Sequence, residues 1–162
     1  MRVAAAHGHA KFFDELQSVY ETSGNPELAH SALNLLPYFQ DPALVRRTLD
    51  YILSGKVRNQ DSPHLLAALL RSRATHDITW QYVQQNWDKV AVQFTPLSGG
   101  RFVGAAGSFC SAEARDQVIA FFNTHKVGSS QRALKRATDE INDCIELRAN
   151  QEPKLKEWLA TQ

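Results

Sequence analysis

What this sequence lacks narrows its function before any motif is sought. No charge of one sign dominates: 18 Lys and Arg stand against 17 Asp and Glu, a formal net charge of +1. Without a long-range field there is nothing to gather a polynucleotide or an anionic membrane, so neither partner is expected. The longest aliphatic run, Leu65 to Leu70, is six residues, against the ~20 needed to cross a bilayer. His7, Gly8 and His9 interrupt the N-terminal alanines before a secretion-signal core of roughly 7–15 apolar residues can form. Cysteine is scarce too. Cys110 and Cys144 lie outside any Cys-x-x-Cys pair, which suits a reduced compartment, the cytoplasm by default, better than a disulfide framework.

Catalytic and metal motifs are also missing. No H-E-x-x-H places two imidazoles a turn apart with a carboxylate between them. His30, His64, His76 and His125 are scattered singly, whereas a metal needs three or four convergent ligands. Gly99, Gly100, Gly104 and Gly107 form neither G-x-G-x-x-G nor G-x-x-x-x-G-K-[ST], so close helix packing explains them better than a phosphate cradle. No nucleophile elbow is present, although a Ser/His/Asp set that meets only in the fold stays open.

What is present is helical periodicity. Trp80, Val83, Trp87, Val90 and Phe94 recur at spacings of three and four, one apolar stripe over Ile78 to Phe94. Similar stripes run through Phe12, Leu16 and Val19; Leu28, Ala32 and Leu35; Val45, Leu49 and Ile52; Ala114, Val118 and Phe122; and Leu134, Ala137, Ile141 and Cys144. Asn25-Pro26, Asp41-Pro42 and Ser62-Pro63 each put a capping side chain before a proline suited to the first helical turn. These starts lie 16 and then 21 residues apart, so a helix pair recurs after 37, close to the period of roughly 34–47 in stacked helical repeats. An all-α fold is predicted, an α-solenoid of antiparallel HEAT- or armadillo-like pairs with about eight to nine helices and residues 1–162 as one domain; an irregular bundle is the alternative. Only Thr95 to Gly100 reads as a long irregular stretch, followed by a weak helix over Arg101 to Gly107. The charged run from Arg132 to Arg148 mixes signs and reads as a solvated face.

One connection is richer than turn chemistry requires. In Leu53 to Pro63, "LSGKVRNQDSP", Gly55 and the cations after it end one helix and Ser62-Pro63 opens the next, yet Arg58, Asn59, Gln60 and Asp61 intervene. Two readings stand side by side. Lys56 and Arg58 satisfy helix-end carbonyls while Ser62 caps the next helix and Asp61 supports its positive end. Alternatively, these four side chains, rich in hydrogen-bonding groups, serve a purpose beyond joining two helices, since capping leaves Asn59 and Gln60 unexplained. Trp80 and Trp87, aromatics at helical spacing, are core residues first.

The segments "RRTLDYILSGKVRNQDSPHLLAALL", "ITWQYVQQNWDKV", "FCSAEARDQVIAFFNTH" and "RALKRATDEINDCIELRANQEPKLKEWL" resemble, in order and spacing, the C-terminal helical domain of zinc aminopeptidases of the aminopeptidase N and puromycin-sensitive type. Trp80, Asn86-Trp87-Asp88 and the Val57-Arg58-Asn59-Gln60-Asp61 connection carry the resemblance most specifically. It implies a non-catalytic solenoid lid over the peptidase domain of a longer chain, with zinc held in that absent catalytic domain and none here. Its partners would be that domain and a peptide substrate, with Arg58 to Asp61 near the peptide cavity. Some relatives carry an Arg pair just before the position of Phe109, where this chain has Gly107 and Ser108. An independent helical adaptor and a small hydrolase are the competing classes. If the chain begins inside a repeat, Phe12, Phe13 and Leu16 are expected to be exposed.

Overall fold

The structure is a computed structural model that describes residues 1–95, 98–128 and 130–161. Those residues form ten α-helices: α1 (Arg2–Ala6), α2 (Ala10–Thr22), α3 (Pro26–Leu33), α4 (Pro42–Leu53), α5 (Ser62–Arg71), α6 (His76–Gln85), α7 (Trp87–Ala91), α8 (Gly99–Ala105), α9 (Ala112–Thr124) and α10 (Gln131–Ala160). Short 3₁₀ turns follow α3 and α8, at Leu36–Tyr38 and Ala106–Ser108. The all-α prediction holds, but the described residues form ten α-helices where about eight to nine were expected, the short α1 and the break between α6 and α7 adding to the count. Of the stretch read as irregular, Pro96 and Leu97 lie outside the described residues, while Gly99 and Gly100 are helical and open α8 two residues before the expected start at Arg101.

Two of the three expected caps are made. Asn25 accepts hydrogen bonds from the amides of Glu27 and Leu28, and Asp41 from those of Ala43 and Leu44. Each satisfies two of the amides that a helix start leaves unpaired. Ser62 does not cap. Residues 58–61 already turn, with the Arg58 carbonyl accepting from the amides of Asp61 and Ser62, so the helix begins one residue early and Ser62 is its first member.

The core runs through α4, α5, α6 and α8. Val45, Leu49 and Ile52 of α4 are buried as predicted. Helix α5 contributes Leu65, Leu66, Leu69 and Leu70 and packs against α4, α6 and α8, which accounts for the sequence's longest aliphatic run. Trp80 meets Phe109 and Phe121 edge-on with centroids 6.0 and 5.1 Å apart, and Trp87 sits against Phe121 at 5.0 Å. These are packing aromatics.

Four further expectations are corrected. The stripe from Trp80 to Phe94 spans two helices, because Asn86 leaves the helical basin (φ −119°, ψ 25°) and its side-chain amide donates to the Tyr82 carbonyl at 2.9 Å. A one-residue break barely disturbs spacings of three and four, so periodicity could not register it. Leu28 is exposed, since α3 turns Ala32 and Leu33 inward instead. Phe13 and Leu16 are buried and Phe12 is partly so; Phe13 packs edge-on against Phe39 at 5.2 Å, so no exposed patch forms there. Finally, Cys110 and Cys144 form a disulfide with Cα atoms 5.3 Å apart. The ground for a reducing compartment therefore falls away: the pairing joins the loop before α9 to α10, a proximity that linear spacing does not reveal.

Candidate functional site

Helix α4 ends at Leu53, and Gly55, at φ +82°, turns the chain out of it. This is the left-handed backbone that glycine adopts without a Cβ penalty. Val57 then plugs into the core, so the polar residues after it are held at the surface by a buried anchor and by the start of α5.

The structure parts the four polar residues of this connection. Arg58 Nε donates to Asp61 Oδ2 at 2.8 Å, so the Asp61 carboxylate is engaged by the connection itself. Ser62, fully buried, donates its hydroxyl to the Arg58 carbonyl at 3.3 Å. Lys56 does not serve helix-end carbonyls either: its Nζ donates to Glu21 Oε1 at 3.1 Å. Asn59 and Gln60 are exposed. Thus the structural reading explains Arg58, Asp61 and Ser62 by contacts other than the expected caps.

Two clefts flank the connection. The first, about 500 Å³, lies against α2 and α3 and is lined by Tyr20, Glu21, His30, Lys56 and Arg58. Its electrostatic centre is Glu21, whose Oε1 accepts from Lys56, Tyr51 at 3.0 Å and Gln17 at 3.3 Å. The Lys56 bond, then those from Gln17 and Tyr51, hold the Glu21 carboxyl below its ordinary range. Burial, reinforced by Glu21, pushes the Tyr51 phenol up, so it stays a hydrogen-bond donor. The cleft also offers Arg58, which keeps 61% of its side chain exposed while paired with Asp61.

The second cleft, about 250 Å³, lies between the start of α5 and α8 and is lined by Gln60, His64, Thr95, Ser98 and Arg101. Arg101 Nη1 donates to His64 Nδ1 at 3.3 Å, a bond available only to the neutral ring. Burial first, then the charges of Arg101, His30 and Arg71, lower the His64 pKa, consistent with that state. This cleft presents an amide, hydroxyls, an imidazole and a guanidinium, hydrogen-bonding chemistry suited to peptide groups. Arg101 and His64 are site residues the sequence reading missed, because their approach depends on α5 packing against α8.

No three His, Cys, Asp or Glu side chains among the described residues are grouped to hold a metal ion. No helix among them is long and apolar enough to cross a membrane. Ser108 donates its hydroxyl to the Leu70 carbonyl at 2.6 Å and so closes the end of α5.

Residues 1–143 match the family described as the ERAP1-like C-terminal domain. Among curated proteins, the chain is 27% identical over 132 residues to alanine/arginine aminopeptidase of Saccharomyces cerevisiae, covering 80% of this chain and 15% of that protein. It is 28% identical over 130 residues to aminopeptidase M1-A of Oryza sativa subsp. japonica, with the same coverage of 80% and 15%. It is 24% identical over 152 residues to endoplasmic reticulum aminopeptidase 1 of Rattus norvegicus, covering 91% of this chain and 16% of the relative. The chain thus spans about 15% of the length of the curated relatives it matches.

Proposed function

Because the chain belongs to the family of ERAP1-like C-terminal domains, we propose that it is the non-catalytic C-terminal lid of a longer zinc-dependent aminopeptidase. In this reading residues 1–162 act as one domain, a solenoid of antiparallel helix pairs that covers the catalytic part of the same parent and helps to bind its peptide substrate. The observation that carries the reading is the family match over residues 1–143, joined to relatives whose names are all those of aminopeptidases. Zinc chemistry belongs, on this view, to the catalytic part. Among the described residues no ligand set is grouped, and no chemical step is assigned to them.

The peptide contact is assigned to the connection before α5. Gln60 and Arg58 open on separate clefts, so the exposed amide can hold a peptide carbonyl on one side of the connection and the exposed guanidinium a carboxylate on the other. Arg58 is anchored by Asp61, which limits the side-chain freedom lost on binding. Such a remote contact would strengthen binding of long peptides and be out of reach of short ones.

The test is made in the complete parent enzyme. Gln60→Ala and Arg58→Ala should lower kcat/KM for long peptides several-fold and leave dipeptide-like substrates unchanged. Equal kinetics for both lengths would remove the substrate role from this connection.

A further inference from the structure

A third cleft, about 350 Å³, opens between the end of α5, α8 and the first turns of α10. Arg71, Arg101, Arg132 and Arg136 line it, with Glu140 as the one acidic residue in its wall. We propose that these four arginines form a binding site for a small multivalent oxyanion, a phosphate ester or a polycarboxylate. The proposal rests on this chain's geometry and is independent of the lid reading.

Charge is the first argument. The whole chain carries an excess of only +1, yet four arginines from three helices line this one cleft, Arg101 also reaching the His64 ring with one Nη. Glu140 compensates one of them, accepting from Arg136 Nε at 2.9 Å. Among the described residues Arg71, Arg101 and Arg132 face no carboxylate within ion-pair distance. Guanidinium does not relieve mutual repulsion by losing a proton, as a lysine cluster can, and a bound anion would neutralise charge that solvent only screens at these exposed positions. The planar forks also match the paired oxygens of phosphate and carboxylate.

Position is the second argument. Arg132 lies in the first turn of α10, a helix of 30 residues with no acidic side chain in that turn. A cation at the positive end of a long helix is unfavourable, and a bound anion would reverse the sign of that interaction. The His64 imidazole reports the same positive field: after burial, Arg101 is the next largest cause of its lowered pKa, and Arg71 contributes as well.

Shape is the third. Gly104 borders the cleft, and a Cβ placed there would meet nothing within 4 Å. Packing does not demand this glycine, and its missing side chain leaves the floor open. The volume is that of a small-ligand site, at the lower end of the range of roughly 300–1,000 Å³. No glycine-rich loop is involved: side chains supply the donors.

The experiment titrates pyrophosphate and citrate into the chain by calorimetry at constant ionic strength set with chloride, with thermal unfolding of the same samples. One anion per chain is expected, with a rise in Tm above the chloride control. Binding by pyrophosphate alone identifies the phosphate class and by citrate alone the polycarboxylate class, and either supports the site. Arg71→Gln with Arg132→Gln should weaken binding at least tenfold. Gly104→Leu, which fills the floor and removes no charge, should do the same, its folding checked by its Tm in chloride. Absence of binding beyond the chloride control, or equal affinity in wild type and both variants, overturns the proposal.

Discussion

Cys110 and Cys144 are bonded across 34 positions of sequence, so the loop that opens α9 is tied to the middle of α10. Much of the packing around that tie involves α8, the following 3₁₀ turn and α9 against α10. Removing the bond frees a loop of this length in the unfolded chain. The double variant Cys110→Ser/Cys144→Ser should therefore be less stable by roughly 3–4 kcal/mol on the loop-entropy model. Denaturant titration of the variant and of reduced wild type should agree. A titration of free thiols in unreduced, unfolded protein should find none; two thiols and an unchanged midpoint would dismiss the bond.

The helix starts provide a second contrast. Asp41→Ala removes acceptors from two amides of α4 and should cost about 1 kcal/mol. Asp61→Ala breaks an ion pair whose arginine is mostly exposed, and should cost less than about 1 kcal/mol. Equal losses would mean that Asp61 serves α5 as a true cap.

Two glycines of α8 should respond in opposite directions. A Cβ on Gly99 would collide with the Val127 side chain, so Gly99→Ala should destabilise by roughly 1–3 kcal/mol through overpacking. Gly104→Ala meets open space and should stabilise by up to about 1 kcal/mol through helix propensity. Thermal unfolding of the two single variants decides this.

His64 supplies the pH dependence. Its pKa is lowered in the folded chain by burial first, then by Arg101, His30 and Arg71, with Asp61 opposing. The unfolded imidazole thus takes up a proton at higher pH than the folded one, and stability falls as pH drops below the ordinary histidine pKa of about 6.5. Histidine NMR should show His64 titrating below that value. Arg101→Ala should restore only part of the shift, since burial is the larger cause. Full restoration would assign the effect to charge.

Local rules made much of the architecture legible. Asn25-Pro26 and Asp41-Pro42 announced helix starts because capping needs only neighbours in sequence, and the α4 stripe emerged because burial repeats with the helix turn. Ser62 misled, since a turn at Arg58 carries the helix start forward. Asn86 was invisible because one non-helical residue leaves the apolar spacing nearly intact. Polar excess pointed to the Arg58 to Asp61 connection, but the clefts beside it require α2, α3 and α8 as walls. The disulfide and the four-arginine cleft depend on α10 folding back over α8 and α9, information that no local window contains.

Helix α10 runs 30 residues to Ala160, about 45 Å at the usual rise, but its last buried residue is Ile141 and everything from Glu146 to Ala160 is exposed. Pro153 interrupts the hydrogen-bond ladder within that stretch. Arg148 and Lys156 both bridge to Glu152, each pair giving only a few tenths of a kcal/mol. A free helical end of this kind frays readily. Brief exposure of the folded chain to trypsin should therefore cut first at Arg148, Lys154 or Lys156, trimming the end while the disulfide-tied body stays whole.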